Sequence, residues 1–252
     1  GYIDAYRALG DQDYLKMALK NASFLEKNMI RSDGSLWRNY KDGNVSVEAF
    51  LDDYALLADA FLQLYQISFD KHWLDLSKNL GDYTLAHFSD EVTGLFYYTS
   101  NQSESLIARK HEVPDNVIPS SNSVLANVLY RLGLYFDNPI YTDRALTMLM
   151  QVEDDLSTGG PYYANWGMLY GMISHEAFEV AIVGDEALSK NKQMQENFLP
   201  TTIFLGGNTE NLTLLENKLT KGQTMIYVCE KKVCQFPLDK PEDALSLLAR
   251  LL

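Results

Sequence analysis

Cysteine is nearly absent from this chain: Cys229 and Cys234 are the only two among 252 residues. Their spacing is neither the two-residue gap of a redox motif nor a zinc pattern, and no second pair completes a site. They read as two reduced residues at a strand end, with a local disulfide as the alternative. Histidine is scarce as well, with four, so few side chains titrate near neutrality. No apolar run approaches the roughly 20 residues of a membrane helix. Positive charge is in deficit, 21 Lys and Arg against 34 Asp and Glu, for a formal net charge of −13. A surface that acidic repels phosphate backbones and anionic headgroups, which makes nucleic acid and membrane poor partners and a neutral or cationic small molecule a better one. The nucleophile elbow, the P-loop and the spaced glycines of a dinucleotide site are all missing, so no cofactor is expected. No signal peptide is evident, and a cytoplasmic location is expected. The first residue is Gly1 rather than Met, however, so the missing leader excludes little.

What the chain has instead is a repeat. Asp13 to Ile30 carries Leu15, Ala18, Leu19, Ala22, Leu25 and Met29 on one face, the pattern of a surface helix. Val47 to Ile67 is apolar in almost every direction, the pattern of an enclosed one. Lys71–Phe88 is amphipathic, Ser121–Tyr135 enclosed, Ile140–Leu156 amphipathic, and Trp166 to Ile173 opens another enclosed segment. Outer and inner helices alternating in this way predict a mainly α chain of helical hairpins, wound as part of an (α/α) toroid. After about residue 176 strands alternate with helices: strands at Phe178–Gly184, Thr201–Leu205 and Thr224–Cys229, helices through Phe198, at Glu210–Leu219 and from Pro241. The expected division is a toroid portion over 1–176 and a small, parallel α/β unit over 177–252.

The inner-to-outer turns are short, whereas the linkers over 31–46 and 89–120 are long and rich in aromatic and polar residues. Long structured linkers are usually functional, and these lead into the N-terminal ends of inner helices, which defines one rim. Several stretches together resemble the C-terminal part of the thioredoxin-domain-containing, spermatogenesis-associated protein 20-like family. They are Phe50-Leu51-Asp52-Asp53-Tyr54-Ala55, Pro119-Ser120-Ser121-Asn122-Ser123, Phe178–Gly184, and Tyr227-Val228-Cys229 with Val233-Cys234-Gln235. The resemblance implies a six-hairpin toroid similar to those of N-acylglucosamine 2-epimerases and six-hairpin glycosidases. It also implies that the chain is a C-terminal portion opening inside an inner helix at Gly1–Leu9, with too few helices for six hairpins and no thioredoxin-like part.

The rim supplies the candidate residues. Asp52 and Asp53 sit in the first turn of an inner helix, where the macrodipole favours carboxylates. Either one is also placed to act as a general acid or base, and because neighbours diverge by about 100° only one is expected to point inward. His111, Glu112 and Asp115 concentrate titratable groups in the second linker. Trp37, Arg38, Tyr54, Tyr97, Tyr98, Arg109, Asn122 and Trp166 are candidates for holding a sugar-like substrate. Aromatic faces cover sugar C–H groups while polar edges bind hydroxyls, although such aromatics also serve as core. Asn122 doubles as part of a Ser-rich helix cap. His175-Glu176 with Glu179 misses the zinc signature by its last ligand, so no metal is expected. The function expected is that of a carbohydrate-active protein, in the first place a sugar isomerase or epimerase. The alternatives are a glycoside hydrolase and a non-catalytic ligand- or partner-binding module attached to a thioredoxin-like domain. An interrupted toroid would expose apolar helix flanks, and self-association of this chain is therefore expected.

Overall fold

A computed structural model describes residues 1–103 and 108–251. Residues 104–107 and 252 lie outside the described residues. In chain order come α1 (Tyr2–Leu9), α2 (Gln12–Met29), a hairpin of β1 (Trp37–Lys41) and β2 (Asn44–Glu48), α3 (Leu51–Ser68), α4 (Lys71–His87), α5 (Ser121–Phe136), α6 (Pro139–Met150), α7 (Glu153–Leu156) and α8 (Ala164–Ser174). They are followed by β3 (Phe178–Val183), α9 (Ala187–Gln195), β4 (Thr202–Gly207), β5 (Met225–Glu230), β6 (Val233–Cys234) and α10 (Pro241–Leu251). The protein is mainly α. It divides into two compact units, one of Leu19–Leu62 and Trp73–Leu169, the other of Gly1–Ala18, Gln63–His72 and Tyr170–Leu252.

In the first unit the predicted alternation becomes helical hairpins. The first two thirds of α3 bury Leu51, Tyr54, Ala55, Ala58, Phe61 and Leu62. Against α4, Phe61 stacks on Trp73 at 5.5 Å and Ser77 donates to the Ala58 carbonyl at 2.8 Å. From Ser121 to Leu129, every residue of α5 is buried. The Ser120 hydroxyl caps α5 by accepting the Ser123 N–H, and Asp137 ends it in a left-handed conformation. Asn138 and Pro139 start α6 at once. Gly133 lets the two helices close up, since a Cβ there would collide with Thr142. The amphipathic segment expected to reach Leu156 breaks after Met150, where α7 forms a separate turn. The start predicted at Val47 also moves, because residues 44–48 pair with β1 across the Asp42-Gly43 turn. Both turn residues have positive φ, the Asp-Gly hairpin geometry. Enclosure fails for α8: Trp166, Leu169 and Met172 are buried, but Met168 and Tyr170 are about half exposed at 51% and 53%.

In the second unit the sheet order is β4-β3-β5-β6, and all six residues of β3 are buried. Phe178, Val180, Ile182, Met194, Phe204, Val228 and Leu248 form its core with Phe69. The expected parallel sheet is corrected here, because β3 is parallel to β4 but antiparallel to β5. A parallel third strand needs a long return crossover, normally a helix. The helix expected at 210–219 shrinks to a 3-10 turn at Thr213–Leu215. The Glu210 carboxylate holds that loop closed by accepting the Lys218 and Leu219 N–H groups, both at 2.7 Å. A second correction concerns the cysteines, which are joined as Cys229–Cys234. The strand reverses at Lys231-Lys232, so the two residues face each other across β5 and β6 instead of ending a lone strand. Elsewhere in this unit, Asn191 Nδ2 and Gln195 Nε2 both donate to the Gln66 carbonyl, at 2.7 and 2.6 Å. Arg7 joins the same network through Gln63 and Gln195.

Candidate functional site

The connectors of the first unit are tied to the N-terminal ends of α3, α5 and α8 by hydrogen bonds made within that unit. The Leu51 N–H at the start of α3 donates to the Tyr98 carbonyl at 3.0 Å. At the start of α5, the Asn122 side chain accepts the Phe96 N–H and donates to the Phe96 and Glu112 carbonyls, at 2.8, 2.9 and 2.9 Å. Glu112 accepts the Ser121 N–H at 3.0 Å. Asp115, 5% exposed, accepts the Ser120 N–H (2.9 Å) and the Ser123 hydroxyl (2.7 Å) with one oxygen and the Asn165 N–H (2.9 Å) with the other. Trp166 is fully buried and donates Nε1–H to the Val113 carbonyl at 2.8 Å. Asp115, Glu112, Asn122 and Trp166 are therefore occupied in fastening loop to helix, and both amide hydrogens and the oxygen of Asn122 are engaged.

A charged cluster forms at the start of α3. Arg38 Nη1 reaches Asp52 at 2.9 Å and Asp53 at 2.6 Å, while Nη2 reaches the other Asp52 oxygen at 3.3 Å. Although neighbouring helical positions diverge, both carboxylates converge on one guanidinium. Asp53 does so by folding back as a cap onto the Phe50 N–H at 2.9 Å. The guanidinium lies over the Phe50 ring, which stacks on Tyr98 at 5.1 Å. Partial burial holds the Asp53 carboxyl above its usual range despite the Phe50 N–H and Arg38. The Tyr98 phenol is pushed up to about 12, first by burial and then by the negative charge of Asp52, with Glu112 contributing less.

The remaining candidates lie around a second ring stack. Tyr97 is covered by Arg109 (4.1 Å) on its ring and stacks with His111 at 4.6 Å. Arg109 is fixed to the Thr99 carbonyl. His111 Nε2 stands 3.1 Å from a carboxylate oxygen of Asp90, a partner that sequence reasoning did not single out. Tyr54 is buried and its hydroxyl accepts the Leu36 N–H at 2.8 Å. Trp37 is half-buried beneath the Arg31 guanidinium.

Tyr54 and Tyr83, stacked at 5.2 Å, also border a polar cleft of about 250 Å³ that no pattern suggested. Arg31, Asp33, Glu48, Ser100, Gln102 and Ser103 line it as well. The Asp42-Gly43 turn was the available signal, since the hairpin it makes sets Glu48 opposite Trp37 and so brings Glu48 beside the 31–37 segment. Among the described residues, no group of three or more His, Cys, Asp or Glu side chains could hold a metal ion, and no helix is long and apolar enough to cross a membrane.

Helical hairpins whose polar and aromatic connectors are pinned to the N-termini of α3, α5 and α8 define the class of protein. No protein-family model matches the chain. Its resemblance to the spermatogenesis-associated protein 20-like family extends over almost its whole length. It is 23% identical over 270 residues to spermatogenesis-associated protein 20 of Homo sapiens, covering 98% of this chain and 34% of the relative. The Mus musculus protein of the same name is 22% identical over the same coverage. An uncharacterised Caenorhabditis elegans protein is 28% identical over 269 residues, 100% of this chain and 36% of its own length. The chain thus spans about a third of the length of the curated relatives it matches. Among solved structures, a GH76 α-mannanase of Bacteroides thetaiotaomicron aligns with a TM-score of 0.48 and 17% identity, covering 61% of this chain and 41% of that one.

Proposed function

We propose that this chain is the toroid portion of a carbohydrate-active protein and that its connectors bind a neutral, sugar-sized ligand. The carrying observation is the Arg38–Asp52–Asp53–Tyr98 cluster, a fixed set of charged and hydrogen-bonding groups beside an aromatic stack. The cleft beside Tyr54 and Tyr83 supports the same reading. At about 250 Å³ it falls below the ~300–1,000 Å³ of drug-sized sites, which limits its occupant to about one sugar ring. Sugar isomerisation or epimerisation is the second reading, favoured by one specific observation. Asp53 is half-buried within the Arg38 cluster at the start of α3, and burial raises its carboxyl. Hydrolysis draws no support, because Asp52 and Asp53 meet on one guanidinium instead of flanking a sugar ring. A cytoplasmic location is retained as a proposal, in which the Cys229–Cys234 bond would be transient, as most mesophile intracellular disulfides are.

The test is calorimetric titration with a panel of aldoses and amino sugars, on the wild type, Arg38→Met and Glu48→Gln. A binding role for the cluster requires Arg38→Met to weaken the best ligand by at least about tenfold, or about 1.4 kcal/mol. A loss only in Glu48→Gln would transfer the ligand to the cleft, and no binding by any sugar would end the proposal. Turnover abolished in Asp53→Asn with binding intact would establish the catalytic reading. Light scattering on the same samples reads out the proposed self-association, which a monomer at high concentration would exclude.

A further inference from the structure

The β5–β6 hairpin reverses through Lys231-Lys232, without the glycine or asparagine such turns prefer. Both residues have positive φ, +49° and +65°, the backbone of a type I′ turn. A side chain with a Cβ adopts that conformation at a cost, because Cβ crowds the following carbonyl oxygen. Glu230 faces Val233 next to the turn, and Cys229 faces Cys234 one step further on. In a two-residue hairpin that second pair is not hydrogen-bonded, and opposed side chains there approach most closely. The two sulfurs are bonded. β6 is only two residues long, and the contacts described at the tip include the Glu230–Val233 strand pair, an ion pair between Lys231 and Glu176, and the Gln235 N–H donating to the Val228 carbonyl at 2.9 Å. Cys229 is buried, whereas Cys234 is half-exposed on the outer strand of the sheet.

We infer that Cys229–Cys234 is a thiol–disulfide exchange site, opened from Cys234 by low-molecular-weight thiols, and that the bond keeps Lys231-Lys232 in its left-handed turn. The thiolate of an external thiol attacks the Cys234 sulfur, the S–S bond breaks, and Cys229 leaves as a thiolate that takes a proton from water. A second external thiol resolves the mixed disulfide, so the protein gains two electrons and two protons and the reagent departs as its own disulfide. Once the cross-link is gone, fewer contacts offset the turn's cost and the tip opens more readily. The inference is independent of the carbohydrate reading.

The experiment combines alkylation mass spectrometry with amide hydrogen exchange, on native protein incubated with reduced glutathione or dithiothreitol. Both cysteines are expected to become alkylated without denaturant, and amides of residues 230–235 to exchange at least about tenfold faster after reduction. The double variant Lys231→Asn/Lys232→Gly, with a turn sequence suited to positive φ, should keep most of its protection when reduced. A bond that resists excess thiol in the native state overturns the exchange site. Unchanged exchange after reduction, or equal acceleration in the double variant, overturns the role given to the turn.

Discussion

Replacing Asp115 by alanine removes an acceptor that serves three donors at once: the Ser120 N–H, the Ser123 hydroxyl and the Asn165 N–H. Hydrogen bonds to a charged group contribute about 1.5–3 kcal/mol each, so simple addition would give about 4.5–9 kcal/mol. The sum overshoots. Asn165 is only half-buried, which lets water reach its N–H, and deleting a buried carboxylate also removes the cost of having desolvated it. We expect a loss of about 3–5 kcal/mol, the range for breaking a buried charged contact by removing one partner. Asp115→Asn keeps one carbonyl oxygen for one side of the site and should lose about half as much, since one acceptor survives. Urea unfolding followed by tryptophan fluorescence measures both. Trp166 is a suitable reporter because its Nε1–H is bonded to Val113, two residues from the substitution. A loss below about 1 kcal/mol, or equal losses in the two variants, would mean that water replaces the carboxylate and that Asp115 fastens nothing.

Two further outcomes test other parts of the structure. Asp90 is held below the usual carboxylate range: burial pushes it up, but the Val92 N–H, the Thr93 hydroxyl and then His111 more than offset this. Its folded value is depressed, so its stabilisation is present above the unfolded value of about 4 and is lost as pH falls through the folded one. Asp90→Asn should flatten acid unfolding in that window, and an unchanged acid limb would refute the pairing. Gly206→Ala, at φ +156°, would drive a Cβ into the Ile182 carbonyl between the paired strands β3 and β4. A thermal midpoint lowered by several degrees is expected, and a midpoint within one degree of the wild type would refute the close approach.

The helical repeat was legible because it is local. Apolar residues at three-to-four spacing dictate which face a helix must bury, so α2, α4 and α5 lie within a few residues of where periodicity sets them. The β1–β2 hairpin was equally local, marked by Asp42-Gly43, but was obscured by the apolar run that follows it. The cluster was legible in part: Asp52 and Asp53 stood out, whereas the guanidinium that gathers them comes from fourteen residues upstream and arrives only when β1 folds back over α3.

By its own chemistry the sequence determined most of the segments that coil into helices, the enclosure of α3 and α5, and that strands enter in the second part. Tertiary structure alone decided the strand directions, the cysteine pairing and the partners of Asp115, Glu112 and Asn122. The physical reason is range. A helix's hydrogen bonds close within four residues and its apolar face is written along one stretch of chain. The partner of a polar side chain is set by where distant segments come to rest, and no spacing along the sequence encodes that position.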